Sequence, residues 1–312
     1  MADDGSGGTG AGPEFGWLDM PDGARLRTAC WRSMAEARGT FVLLTGRAEF
    51  IEKYQETAES LLARGFDVFA MDWRNQGLST RPPGNPQIQH VEDFADLADD
   101  LERFVAEVVA PRARGPLLLL AHSMGGMVAT LHAARHPDRF HALILSAPMH
   151  DINLRGLPGG LARGLAAAAC ALGFGRRYAF GQGDYDPREA AFAGNAISSD
   201  PRRYAVFHDA YRDRPELRVG GVSFGWLRAA FRAADAVRIG EPLDRVRAPV
   251  LLLSASGDRV VDPRAQAAVA RRLPDCTLVS YPDARHEVLM ECDAIRDRVW
   301  ADIDAFLARH AL

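Results

Sequence analysis

The sequence predicts an α/β fold: a mostly parallel sheet with helices on both faces and an inserted helical cap. Three observations carry this. Short unbroken apolar runs at 41–44, 117–120 and 250–253 have the pattern of strands covered on both faces. Amphipathic helical stretches alternate with these runs, as they must when parallel strands are joined by crossovers. The alternation stops at Pro148 and resumes at Pro249, so an inserted module splits the sheet-forming chain. The expected organisation is a flexible tail over 1–14, a first core part over 15–150, a cap over 151–240 and a second core part over 241–312.

Each element has its own signal. Trp17 to Met20 and Leu26 to Trp31 flank the turn triplet Pro21-Asp22-Gly23 and read as a hairpin. The run ending at Leu44 leads into Thr45-Gly46-Arg47, then a helix with Tyr54, Ala58, Leu61 and Leu62 on one face and Gly65 as its stop. A strand from Phe66 to Met71 closes at Asp72, before a proline-rich loop. Phe94, Leu97, Leu101, Phe104 and Val108 recur at helical steps. After the break, an alanine–leucine helix from Leu161 and another from Trp226 form the cap. Asp262-Pro263 then opens a helix as N-cap and first residue. The last strand ends at Tyr281, and Ile295, Val299, Ile303 and Phe306 line a C-terminal helix.

Composition narrows the class. Hydrophobic content of 47% and charged content of 25% over 312 residues are those of a soluble globular protein. A net charge of −4 gives no reason to expect nucleic acid. Cys30, Cys170, Cys276 and Cys292 are scattered without a CxxC pair, which argues against a zinc site or a disulfide framework. The start, Met1-Ala2-Asp3-Asp4, has neither the basic end nor the apolar core of a signal peptide. The longest apolar run, at 164–174, is too short to span a bilayer. A cytoplasmic protein with reduced thiols is expected.

The chemistry is concentrated after the run at 117–120. There Ala121-His122-Ser123-Met124-Gly125-Gly126 passes from a buried strand into a helix rich in small residues. A serine on such a turn is a nucleophile elbow: strand and helix nearly touch, so its neighbours must be small. A serine hydroxyl needs a base, and the base needs a carboxylate to orient it. Two later loops supply them in the order Ser, acid, His. Asp258 follows the strand ending at Leu253, and His286 follows the last strand, both at the carboxyl edge where an open α/β sheet collects its functional groups. Asp262 is assigned as a helix cap, Asp283 to turn chemistry, and Glu287 points away if His286 faces the site. His122 packs beside the elbow, and His90, His136, His150 and His208 lie in no motif. The oxyanion requires two N–H donors. These are assigned to the backbones of Met124 and Arg47, with Ala48 as the alternative to Arg47. No cofactor and no metal is implied.

At these residues the chain resembles the bacterial lysophospholipases and monoacylglycerol lipases of the α/β-hydrolase superfamily, often grouped with serine aminopeptidase-like hydrolases. The matching stretches are Thr45 to Glu49, Asp72 to Ser79, the elbow, Gly257 to Asp262 and Arg285 to Glu291, with Leu217 to Gly221 and Trp226 similar to the lysophospholipase cap. Thr45 stands where many relatives have His, and Asn75 where they have Gly. The resemblance implies the triad Ser123, Asp258 and His286, with Arg47 and Met124 at the oxyanion hole. It also implies a lipid-like ester substrate. Other chemistries on the same triad (acyl transfer, aminopeptidase or carbon–carbon bond hydrolysis) and a non-catalytic binding module are the alternatives. The cap holds thirteen arginines against nine acidic residues, while the whole chain carries −4. A basic lid over an acidic body favours peripheral contact with anionic membranes.

Overall fold

The computed structural model describes residues 12–154, 156 and 158–312. Residues 1–11 of the expected tail lie outside the described residues. Glu14, expected as the tail's last residue, instead pairs with Cys30 in the first ladder, because the hairpin extends three residues beyond the turn-proximal alternation at Trp17.

Among the described residues eight strands form one sheet: β1 Glu14–Asp19, β2 Arg25–Trp31, β3 Gly39–Leu44, β4 Phe66–Met71, β5 Leu117–His122, β6 Ala142–Ser146, β7 Val250–Ala255 and β8 Cys276–Tyr281. Their order is β1-β2-β4-β3-β5-β6-β7-β8. The hairpin is antiparallel to itself and to β4; every later pairing is parallel. The helices are α1 Gln55–Leu62, α2 Phe94–Phe104, α3 Met124–Arg135, α4 Gly159–Ala171, α5 Pro201–Asp213, α6 Phe224–Asp235, α7 Pro263–Ala270 and α8 Asp293–Arg309.

Alternation along the central strands divides the core in two. Val42 and Leu44 of β3 face a cluster with Leu97 and Leu101 of α2, Val128 of α3 and Val269 of α7. Phe41 and Leu43 face the other cluster, with Ala58 and Leu61 of α1 and Val299 and Ile303 of α8. Because both faces are covered, these strands are apolar throughout, which is why they read as unbroken runs. Caps appear where the sequence has cap residues: Asp93 accepts from the Ala95 N–H and Asp262 from the Arg264 N–H.

Helices α4, α5 and α6 all lie between β6 and β7, off the sheet. α6 is amphipathic and buries Trp226 against Phe94 of α2, ring centroids 5.7 Å apart. α4 buries only Ala166 among its residues. A third cluster, Phe50, Tyr211 and Leu217, ties α5 to the loop after β3. The Tyr211 hydroxyl donates to the Ala48 carbonyl at 2.8 Å.

Buried histidines set the response of this core to acid. Burial pulls His122 and His150 down to about 3. It pulls His132 to about 4, against the opposing hydrogen bond to Glu102. All three are neutral in the folded protein, whereas unfolded histidine takes a proton near its ordinary value of about 6.5. Below that value the unfolded chain binds more protons, so stability is full above it and is lost as pH falls toward the folded values. Each histidine contributes a slope of up to about 1.4 kcal/mol per pH unit. The urea midpoint should therefore fall clearly between about pH 7.5 and about pH 5. An unchanged midpoint over that range would show that these rings are not held neutral.

Candidate active site

The turn between β5 and α3 is tight in a measurable way. Ser123 has φ +50° and ψ −115°, a conformation that side chains other than glycine rarely adopt. The surroundings hold it there. Its N–H donates to the Ser146 carbonyl at 3.0 Å, and its own carbonyl accepts from Met127 and Met149. A Cβ on Gly125 would lie 2.6 Å from the Thr45 carbonyl oxygen, and one on Gly126 would lie 2.7 Å from Pro148 Cβ. Glycine at both positions lets α3 start directly against the ends of β3 and β6.

Ser123, His286 and Asp258 form one hydrogen-bonded line. His286 Nε2 lies 2.9 Å from Ser123 Oγ, and His286 Nδ1 lies 2.7 Å from Asp258 Oδ2. All three are buried. Oδ1 of Asp258 accepts the N–H groups of Val260 at 2.7 Å and Val261 at 3.0 Å, which aims Oδ2 at the imidazole. Burial works to raise the Asp258 carboxyl, but the hydrogen bond and charge of His286 and the two backbone donors outweigh it and hold it below 3.8. An ionised carboxylate only accepts, so His286 carries its proton on Nδ1 and presents a lone pair on Nε2 to the serine hydroxyl. The arrangement can remove the Oγ proton and hold the charge that results.

The competing carboxylates are engaged elsewhere. Asp262 caps α7, accepting from Arg264 N at 2.9 Å. Asp283 lies 3.8 Å from Arg298. Glu287 turns away from the serine and meets Lys53 at 2.5 Å. His122 packs its ring 4.8 Å from that of His286 and bonds the Ser146 carbonyl through Nδ1 at 3.1 Å. His90 bonds Ser223 and Glu92, and His150 bonds Thr130. His136 packs its ring 4.7 Å from that of His132, tilted by 31°, and His208 bonds Tyr185 at 2.8 Å.

Beside Ser123 the loop after β3 is braced from below. Ala48 N–H donates to Gln76 Oε1 at 3.1 Å, so the alternative oxyanion donor is already engaged. The Arg47 and Met124 N–H groups meet no acceptor among the described residues. Gly46 N–H donates to Glu49 Oε2, and a Cβ at Gly46 would lie 2.8 Å from that oxygen. Glu49 also accepts from Lys53 at 2.6 Å and Tyr54 at 2.7 Å. Burial raises the Glu49 carboxyl, but Lys53 overrides this and brings it to about 2. Burial lowers the Lys53 ammonium, but Glu287 and Glu49 hold it above its ordinary value. Reading the sequence did not single out this network. The available signal was the acid–base pair at helical spacing, Glu49 and Lys53. Glu49, His122 and Glu287 lie close enough to ligate a metal, but Lys53 already bridges the two carboxylates. In the second such group, Glu102 with His132 and His136, Arg139 is bonded to Glu102.

A cavity of about 500 Å³ opens on Ser123. Met149, Ile152, Val222, Trp226, Leu227 and Val261 make one wall apolar, and Arg47, Gln182 and Glu189 bring polar groups.

The comparisons with known proteins agree with this architecture. A family model described as serine aminopeptidase, S33, matches residues 35–293. Lysophospholipase L2 of Escherichia coli K12 is 36% identical over 277 residues, covering 86% of this chain and 80% of that protein. The monoacylglycerol lipase of Mycolicibacterium smegmatis is 28% identical over 92% of this chain and 94% of its own. Among solved structures, a soluble variant of the Saccharomyces cerevisiae monoglyceride lipase superposes with a TM-score of 0.75 at 21% identity, covering 97% of this chain and 98% of its own. A family match across most of the chain and a relative of this identity have one consequence: the chain belongs to the serine aminopeptidase S33 family of α/β-hydrolases, with the bacterial lysophospholipases and monoacylglycerol lipases.

Proposed function

We propose that this protein is a serine hydrolase that cleaves carboxylic esters of lipid-like substrates, lysophospholipids or monoacylglycerols, through an acyl-enzyme. The observation that carries the reading is the hydrogen-bonded line Ser123–His286–Asp258 at the base of a half-apolar cavity. The curated relatives, lysophospholipases and lipases by name, support it.

In this reading His286 takes the Ser123 proton as Oγ attacks the ester carbonyl, and Asp258 stabilises the imidazolium. The Arg47 and Met124 N–H groups receive the oxyanion. His286 then protonates the leaving alcohol, and water repeats the sequence on the acyl-enzyme. The apolar wall holds the acyl chain. Four free cysteines fit a reducing compartment, and we assign the protein to the cytoplasm.

We further propose residues 151–240 as a cap that meets lipid surfaces. Among the described residues no helix is long and apolar enough to cross a membrane. α4 nevertheless shows solvent Leu161 and Leu165, and Leu172, Phe174 and Phe180 follow, Phe180 being 79% exposed. Such a set lies in a bilayer interface. Most arginines of the cap are tied in ion pairs, Arg176 with Glu92 and Arg232 with Asp93 among them. The apolar face therefore carries more of the contact than net charge does.

Three outcomes follow. Ser123→Ala should lower kcat by about four to six orders of magnitude, and a variant with ordinary ester turnover and fluorophosphonate labelling would overturn the assignment. Asp258→Asn should lower kcat by about 10⁴-fold with the fold intact, whereas Asp262→Asn should cost little because asparagine also caps helices. The reverse ranking of those two rates would exchange their roles. The double substitution Leu161→Ser with Leu165→Ser should raise KM for aggregated long-chain substrate more than for a soluble short ester. Equal losses of kcat/KM on both substrates would remove the interfacial role.

A further inference from the structure

In the proposed ester chemistry Arg47 acts through its backbone N–H alone. Arg47 lines the same cavity as Ser123. One hydrogen bond holds the guanidinium, from Nη1 to the Gly220 carbonyl at 3.0 Å. Among the described residues no carboxylate pairs with it, and Nε and Nη2 make no hydrogen bond. The other cation on the lining, Lys53, is held between Glu49 and Glu287. Burial lowers the Arg47 value from the ordinary one, and the nearby Tyr211, Glu189 and Glu49 offset only part of that, as expected of a cation drawn from water without a carboxylate in contact. An incoming anion would relieve that cost.

We infer that the Arg47 guanidinium is the receptor for the phosphodiester of a lysophospholipid head group, an inference that rests on the ester-hydrolase reading of the same cavity. A planar fork with free N–H groups matches two phosphate oxygens. The reach also fits. As many bonds separate the backbone nitrogen of Arg47 from its guanidinium carbon as separate the ester carbonyl carbon from phosphorus in a lysophospholipid acylated at its terminal hydroxyl. A substrate whose carbonyl oxygen accepts from the Arg47 N–H therefore has a phosphate arm as long as the side chain that would meet it. Glu189, exposed on the lining, is a counter-charge for the ammonium of a zwitterionic head group. A monoacylglycerol offers only hydroxyls and leaves the cation unpaired.

The test compares palmitoyl lysophosphatidylethanolamine, palmitoyl lysophosphatidylglycerol and monopalmitoylglycerol in the same neutral mixed micelles, with the full chain and its Arg47→Gln and Arg47→Lys variants. Both substitutions keep the backbone N–H. Arg47→Gln should lose about tenfold to a hundredfold more kcat/KM on the two phosphate esters than on the glyceride, mainly through KM, and Arg47→Lys should recover part of it. Glycerophosphate should inhibit the parent enzyme more strongly than inorganic phosphate and should lose that advantage in Arg47→Gln. Equal losses on all three esters, in a variant whose melting temperature is unchanged, would overturn the head-group assignment and leave the hydrolase reading standing. Inhibition by inorganic phosphate as strong as by glycerophosphate would also overturn it, since the site would then take free phosphate. Failure of the parent enzyme to hydrolyse any of the three would overturn the hydrolase reading itself.

Discussion

The rest of the site depends on the close approach of α3 to the ends of β3 and β6. A non-glycine residue at φ +50° costs on the order of 1–3 kcal/mol, and it persists only because its neighbours leave no alternative. Here they are the Ser146 carbonyl, which takes the Ser123 N–H, and the two glycines, which admit Thr45 and Pro148 at distances no Cβ would tolerate. The conformation raises Oγ toward His286 and places the Met124 N–H at the first position of α3, where it has no helical partner. The loop carrying Arg47 is brought alongside by the same contact, because the Thr45 carbonyl that presses on Gly125 belongs to it.

That loop is braced by charge as well as by packing. Glu49, Lys53 and Glu287 are buried together, with Tyr54 on the same carboxylate. Removing one member of such a group typically costs about 3–5 kcal/mol, because it strands the other charge. Glu287 adjoins His286, so one lysine links the loop after β3 to the loop after β8. A second brace lies beneath it. Asp72 accepts the Ile51 and Leu78 N–H groups and pairs with Arg27. Gly77, at φ +55°, has no room for a side chain against that carboxylate.

The segment between β6 and β7 is bound to both of these loops. Ile197 accepts the Glu287 N–H at 2.7 Å, Ser198 accepts from Arg285 at 2.7 Å, and Tyr211 holds the Ala48 carbonyl. It supplies Trp226, Leu227 and Val222 to the cavity wall. Its contacts are therefore of two kinds: polar ones that fix the loops, and apolar ones that shape the cavity beside Ser123. α4 takes part in neither with its exposed leucines.

The sequence alone determined what is local and one-dimensional. Strands buried on both faces appear as apolar runs, the elbow needs small residues in a row, and Ser123, Asp258 and His286 each follow a recognisable strand. Asn75, which stands where relatives have Gly and is of a type that tolerates positive φ, has φ +68°. Tertiary structure decided what depends on partners far along the chain. Lys53 and Glu287 are 234 residues apart; in the sequence Lys53 looks like an ordinary surface charge, and Glu287 only like a carboxylate that turns away from the site. Gln76 is one residue of a turn until its amide is found between the Gly46 carbonyl and the Ala48 N–H. The same holds for the side chain of Arg47. Whether a charge is paired, capped or left facing a cavity is set by what packs around it, and hydrophobic periodicity and motif spacing carry no record of that.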